Sequence, residues 1–135
     1  MIDTPAHPAA PLVLILDDEP SVRAMGRRFL EKSGYGCVEA ATIDAAVDIL
    51  QQTNVIAAIL DVRLPGEHTG LDLLAAFRTI DDLKAIPILI MTGSILTEAE
   101  ETAITKHRAF LFYKPEGFTT IISFLDQLTG RDRSH

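Results

Sequence analysis

Short apolar runs alternate with segments of helical periodicity five times along the 135 residues, and this alternation limits the fold more than any other feature. The first run, residues 12–16, is apolar throughout, as in a strand that is buried on both faces of a parallel sheet. Repeated βα units place helices on both faces of such a sheet. The sequence therefore predicts an α/β protein with a (βα)5 doubly wound, five-stranded parallel sheet in three layers.

The remaining strands are expected at residues 35–39, 55–60, 86–91 and 109–113. The first helix is expected to begin at Pro20 and to stop at Gly34, with an apolar stripe formed by Val22, Met25 and Phe29. The last helix is expected to bury a set of apolar residues: Phe118, Ile121, Ile122, Leu125 and Leu128.

Two threonines are expected to cap helices. Thr42 precedes the second helix, and Thr97 forms a capping-box pattern with Glu100 at the start of the fourth. The apolar face of this fourth helix is thin and consists of Ala99, Ala103 and Ile104. We therefore expect the fourth helix to be one of the less stable elements.

Charge and composition exclude several classes of protein. The net charge of −7 disfavours non-specific attachment to nucleic acid or to an anionic membrane, so no direct nucleic-acid partner is expected. The apolar runs are strand-sized and the start does not resemble a signal peptide, which predicts a cytoplasmic protein. The lone cysteine, Cys37, is expected to be buried and structural. Residues 12–130 are expected to form the domain, with tails at 1–11 and 131–135.

Polar residues of types that react or bind metal ions follow four of the five expected strands. Asp17 and Asp18 follow the first strand, Asp61 the third, Thr92 the fourth and Lys114 the fifth. The strand order 2-1-3-4-5, which right-handed crossovers allow, makes the first and third strands neighbours. The three carboxylates are then expected to converge at the carboxyl edge of the sheet.

Three converging carboxylates repel one another unless a proton or a cation compensates them, and an oxygen-only set of ligands selects Mg²⁺ or a similar ion. With the metal bound, Asp61 is the expected nucleophile toward phosphorus. Thr92 is expected to donate its hydroxyl to a phosphoryl oxygen, and Lys114 to pair with another oxygen as a point charge.

These residues give the chain a resemblance to the response-regulator receiver domains of two-component signalling. The matching motifs are the paired acids, Asp17-Asp18, the acceptor with its downstream proline, Asp61 to Pro65, the strand-end Thr92-Gly93, and Lys114-Pro115. The resemblance implies a flavodoxin-like fold and a place in a phosphorelay. It implies phosphate transfer to Asp61 from a phosphohistidine on a sensor histidine kinase or a histidine phosphotransfer protein.

The resemblance also implies a cofactor and a set of ligands. Mg²⁺, or Mn²⁺, is expected on Asp18, Asp61 and the backbone carbonyl of Arg63, with Asp17 acting partly through water. Arg63 and Ser94 are expected to tune the lifetime of the phosphoryl group. The domain is expected to catalyse only its own phosphorylation and slow dephosphorylation, and so not to be an enzyme in the ordinary sense.

The expected output is a change in the surface of the fourth helix, fifth strand and fifth helix that a downstream protein reads. No membrane partner is expected, and the chain is expected to be a monomer or a weak homodimer. Receivers usually carry an aromatic residue where this chain has Leu111, so the switch is expected to involve Leu111, with Phe110 or Phe112 as alternative aromatic residues. The loop at residues 65–70 is one residue longer than the commonest family version.

Two other classes of protein share part of this pattern. A flavodoxin-like cofactor carrier has the same topology but needs a phosphate loop rich in Ser, Thr and Gly after the first strand, where this chain has acids. An aspartyl-phosphate phosphatase also uses an Asp nucleophile with Mg²⁺, but the D-x-D-x-T/V arrangement typical of that class does not follow the first strand. Glu19 and His68 are interpreted as solvated residues near the site.

Overall fold

The computed structural model describes residues 10–60, 74–75, 78, 86–93, 95–113 and 117–130. Its elements, in chain order, are β1 (Leu12–Leu16), α1 (Pro20–Lys32), β2 (Gly36–Ala40), α2 (Ile43–Gln52), β3 (Ala57–Leu60), β4 (Ile88–Thr92), α3 (Glu98–Lys106), β5 (Phe110–Tyr113) and α4 (Gly117–Thr129). The fourth and fifth helices expected from the sequence are thus α3 and α4. Of the expected third helix, Leu74 and Ala75 are described and helical, and Leu74 is buried.

The five strands form one parallel sheet in the order β2-β1-β3-β4-β5, which confirms the prediction. At the carboxyl edge, Leu16 pairs with Ala40 on one side and with Leu60 on the other. Thr92 pairs with Tyr113 at the same edge. The register therefore brings the carboxyl ends of β2, β1 and β3 level with one another, and β4 and β5 extend two residues further at the same edge.

Two hydrophobic cores lie on opposite faces of the sheet, as the three-layer arrangement requires. On one face, Val13 and Ile15 of β1 pack in a core with residues of α1 and α4, such as Leu30 and Leu125. The alternate β1 residues, Leu14 and Leu16, belong to the second core, which contains residues of α2 and α3 together with Leu74. Successive side chains along a strand therefore pack into the two cores in alternation.

The expected apolar stripe of α1 is confirmed at Val22, which packs against the core, and is wrong by one position further along the helix. Met25 and Phe29 are 48% and 39% exposed, whereas Gly26 and Leu30 are buried. Gly26 explains this rotation, because a Cβ atom at this position would lie 2.4 Å from Ile15 Cδ1 and 2.7 Å from Phe118 Cζ. The helix backbone therefore approaches β1 and α4 through the side that lacks a side chain.

The buried face of α4 also differs from expectation at its end. Leu128 is 48% exposed, while Asp126 is buried. Asp126 accepts a hydrogen bond of 2.7 Å from the hydroxyl of Tyr35, a residue that is itself almost fully buried. Near the end of α4, the buried side chain is therefore the hydrogen-bonded Asp126, whereas apolar periodicity had predicted Leu128.

The expected caps are confirmed. The Thr42 hydroxyl accepts from the Ala45 N–H, and Thr97 and Glu100 form both hydrogen bonds of a capping box. Gly34 adopts a left-handed conformation with φ of 92° beyond α1. Of the residues of α3, only Ile104 is buried, in line with its predicted thin apolar face.

Two further observations concern the lone cysteine and the question of membrane-spanning helices. Cys37 is buried, as predicted, and burial raises the pKa of its thiol to about 11. Among the helices within the described ranges, none combines the length and the apolar character needed to cross a membrane.

Candidate functional site

Three consecutive acids lie directly after β1 at the carboxyl edge of the sheet. These residues, Asp17, Asp18 and Glu19, are named here the acidic turn. Their side chains each offer an oxygen, and these oxygens lie within 4.8 Å of one another. Asp17 is only 2% exposed, whereas Asp18 and Glu19 are exposed to solvent. The turn therefore presents one buried and two accessible carboxylates.

Hydrogen bonds from three directions hold Asp17 in place. Its N–H donates to the Ala40 carbonyl at 3.1 Å, which joins the turn to the end of β2. Its Oδ1 accepts from the Glu19 N–H at 2.9 Å, and its carbonyl accepts from Nη1 of Arg23 at 2.7 Å. The turn is thus fixed to β2 and to the first turn of α1, which begins at Pro20.

The acidic turn has the donor set of a hard divalent cation. All of its side-chain donors are carboxylate oxygens, the ligands that Mg²⁺ and Mn²⁺ prefer over nitrogen or sulfur. A bound cation would also offset the mutual repulsion of the three carboxylates. Within the part of the chain that the structure describes, this is the one group of three His, Cys, Asp or Glu side chains gathered so closely.

Thr92 lies at the same edge, two strands away from β1. It is the last residue of β4 rather than the first residue beyond it, and it is fully buried. Its cross-strand neighbour is Tyr113, the last residue of β5. The hydroxyl of Thr92 is therefore held on the sheet itself, a more rigid support than a loop.

The other predicted site residues lie outside the described residues: Asp61, Arg63, Ser94 and Lys114. Two of them are direct sequence neighbours of residues that the structure places at the site edge. Asp61 follows Leu60, which pairs with Leu16 beside the acidic turn. Lys114 follows Tyr113, which pairs with Thr92.

The residues expected to form the switch divide between the two faces of the sheet. Leu111 is partly buried and packs against the core that contains Ile104 of α3. Phe110 and Phe112 contact Phe124 of α4 instead, with ring centroids 4.5 Å and 6.1 Å apart. Leu111 is thus the residue of the three that belongs to the core of α3.

Sequence reasoning missed a network of charged residues beside the acidic turn. Arg23 lies 3.4 Å from a carboxylate oxygen of Glu39 on β2, and Arg27 donates to the other oxygen at 2.5 Å. The hydrogen bond to Glu39 raises the pKa of Arg27. The sequence contains one signal for this network: Arg23 and Arg27 are four residues apart, which puts them on one face of α1.

The sequence matches a family model over residues 13–126, that of the response regulator receiver domain. Among curated proteins, it is 29% identical over 121 residues to the two-component response regulator PprB of Pseudomonas aeruginosa, covering 88% of this chain and 44% of that protein. It is 29% identical over 101 residues to sporulation initiation phosphotransferase F of Bacillus subtilis, covering 72% of this chain and 79% of that protein.

Solved structures show the same likeness. The chemotaxis protein CheY4 of Vibrio cholerae is similar with a TM-score of 0.79 and 28% identity, covering 88% of this chain and 98% of that chain. The chain spans less than half of the length of the longer curated relatives that it matches. Some of these relatives are named transcriptional regulatory proteins.

Proposed function

The chain belongs to the response regulator receiver domain family, and we propose that it accepts a phosphoryl group on Asp61. The donor is a phosphohistidine of a sensor histidine kinase or of a histidine phosphotransfer protein. The observation that carries this proposal is the alignment of strand ends: the acidic turn follows Leu16, and Asp61 follows its cross-strand partner Leu60. Residues 12–130 make up the phospho-accepting unit.

Mg²⁺ or Mn²⁺ fits the donor set of the acidic turn, and the ligands we propose are Asp18, Asp61 and the carbonyl of Arg63, with Asp17 contributing partly through water. When bound, the cation supplies positive charge that offsets the charge of the phosphoryl oxygens. The buried Asp17 keeps the turn in one conformation through its bonds to Ala40 and Glu19.

The transfer is a displacement at phosphorus without a change of oxidation state. A carboxylate oxygen of Asp61 forms a bond to phosphorus as the bond from phosphorus to the donor's imidazole nitrogen breaks, and the nitrogen keeps the electron pair. Thr92 donates its hydroxyl to one phosphoryl oxygen, and Lys114 pairs with another. Water later attacks the phosphorus of the acyl phosphate, the bond from phosphorus to the carboxylate oxygen breaks, and inorganic phosphate leaves as the Asp61 carboxylate is regenerated.

The chain acts on its own phosphoryl group, and we propose no turnover of other substrates. Arg63 and Ser94 tune the lifetime of the phosphoryl group, because side chains beside it restrict the attacking water. Arg63→Ala should change the rate of dephosphorylation while labelling remains possible. Equal rates in the wild type, Arg63→Ala and Ser94→Ala would contradict this role.

The signal leaves the domain through the surface of α3, β5 and α4. Phosphorylation adds charge at the strand ends, and we propose that Leu111 transmits the change to α3, because it packs against the core that contains Ile104. The reader is a downstream protein, with no direct contact to nucleic acid or membrane, and the chain acts as a monomer or a weak homodimer. Backbone NMR shifts with beryllofluoride and Mg²⁺ should change most from Thr92 to Phe118.

Acetyl phosphate labelling followed by intact-mass measurement tests the proposed function. The wild type should gain one phosphoryl group in Mg²⁺, and Asp61→Asn or EDTA should prevent the gain. Asp48→Asn, a matched change of an exposed acid on α2, should label like the wild type. Stoichiometric labelling of Asp61→Asn, or full labelling in EDTA, would reject the assignment.

A further inference from the structure

We propose that Arg23 is a positioning residue that holds the acidic turn in the conformation that binds the divalent cation. This inference rests on the proposed function, since it assumes that the acidic turn is a cation site. It concerns a residue that offers no ligand itself and lies one helical turn into α1.

The first observation is a direct hydrogen bond. Nη1 of Arg23 donates to the backbone carbonyl of Asp17 at 2.7 Å. The Arg23 side chain is only 17% exposed, so solvent competes weakly for this bond. Because the bond ends on the backbone, it restrains the path of the turn and not merely one carboxylate.

The second observation is that Arg23 is itself oriented. Its Nε lies 3.4 Å from Oε1 of Glu39, and Oε2 of Glu39 accepts a hydrogen bond of 2.5 Å from Nε of Arg27. Arg27 is held in turn by Glu31 at 3.0 Å. The guanidinium of Arg23 therefore connects β2, α1 and the acidic turn, whereas the guanidinium of Arg27 donates to Glu39 and Glu31 in the same network.

A positioning role and a purely electrostatic role predict opposite effects on cation affinity. A guanidinium near a cation site repels the cation, so its removal should tighten binding if charge alone mattered. If Arg23 acts by fixing the turn, its removal should weaken binding, because the ligands must then be ordered at the moment of binding. The carboxylate of Glu39 offsets the charge of Arg23, which favours the second effect.

Isothermal titration calorimetry with Mg²⁺ decides between the two. Arg23→Ala should raise the dissociation constant about tenfold, in the range found for residues that orient metal ligands. Arg23→Lys, which keeps a donor for the Asp17 carbonyl, should recover most of the affinity. Arg27→Ala is the matched control, because it removes an arginine from the same network, and its affinity should stay within about twofold of the wild type.

A second measurement reports on the turn without metal. The Glu19 amide donates to Asp17 Oδ1, so its NMR shift in metal-free protein should move in Arg23→Ala and stay in place in Arg27→Ala. Unchanged or tighter Mg²⁺ binding by Arg23→Ala, or equal weakening by Arg27→Ala, would overturn this inference alone. A wild type that does not bind Mg²⁺ would overturn the proposed function and this inference with it.

Discussion

The two helices that flank β5 are held to the molecule in different ways. Helix α4 buries Phe118, Ile121 and Leu125, all at 3% exposure or less. Helix α3 buries one residue, Ile104. Since buried apolar area is the main source of helix stability in proteins, α4 is fixed by tertiary contacts to a much greater extent than α3.

Polar contacts hold the ends of both helices. Near its end, α4 is anchored by the bond from Tyr35 to Asp126, and the Tyr35 hydroxyl also lies 3.1 Å from Thr129 Oγ1. The capping box of α3 joins Thr97 to Glu100 of the same helix, and the carbonyl of its C-cap residue, His107, accepts a hydrogen bond of 2.9 Å from Nε of Arg78. Of these two helices, α3 is therefore the one whose displacement exposes fewer buried apolar side chains, which suits it to carry a signal.

The largest expected effect comes from removing equivalent side chains from the two helices. Ile121→Ala should lower the free energy of unfolding by about 2–5 kcal/mol, because Ile121 is fully buried between α4 and the sheet. Ile104→Ala should cost less than half as much, since α3 can shift to fill the space. Urea unfolding of both variants measures the difference, and equal losses would show that α3 is packed as firmly as α4.

The polar anchor of α4 is the next test. Tyr35→Phe should cost about 1–3 kcal/mol, because it leaves the buried Asp126 without its hydroxyl donor. The matched control is Tyr113→Phe, which removes the hydroxyl of a tyrosine that is 53% exposed and should leave stability unchanged. Similar unfolding curves for Tyr35→Phe and the wild type would show that the hydrogen bond from Tyr35 to Asp126 does not anchor α4.

These contacts also separate the structural features that could be predicted from the sequence from those that could not. The sheet and its order were predictable because buried parallel strands are continuous apolar runs such as Leu12–Leu16. The caps at Thr42 and Thr97 were predictable because a cap depends on residues close in sequence. Local patterns thus determined the elements and the edge at which the polar residues collect.

What could not be predicted depends on contacts between distant parts of the chain. Periodicity gives α1 two candidate buried rows, and only the close approach of Gly26 to Ile15 and Phe118 selects between them. The bond between Arg23 and Glu39 requires the packing of α1 beside β2, which no local motif encodes. The buried Asp126 was missed for the same reason, since its partner Tyr35 is far away in sequence.

The pH dependence of stability tests whether water reaches the core that lies between the sheet and helices α1 and α4. Burial raises the pKa of the Cys37 thiol from 9.0 to about 11. The unfolded chain therefore loses this proton first, and the contribution of the buried thiol is complete below pH 9 and is lost as the pH rises through 11.

The expected loss is about 1–2 kcal/mol across this range, measured by urea unfolding at several pH values. Cys37→Ala serves as the reference, because other groups that titrate in this range remain in both proteins. A wild type that follows the same pH profile as Cys37→Ala would show that water reaches the thiol.

The smallest expected effect concerns the capping box, the local device that keeps α3 formed. Thr97→Ala removes the acceptor of the Glu100 N–H and should destabilise α3 by about 1 kcal/mol. Because Ile104 is the one buried residue of this helix, the loss should appear as local opening: amide hydrogen exchange in α3 should accelerate about fivefold while global unfolding changes little. Thr42→Ala removes the corresponding cap of α2, which buries both Ala46 and Leu50, and should not accelerate exchange locally to the same extent. Equal acceleration in the two helices would mean that α3 is no easier to release than α2, and the signal would then need another element to carry it.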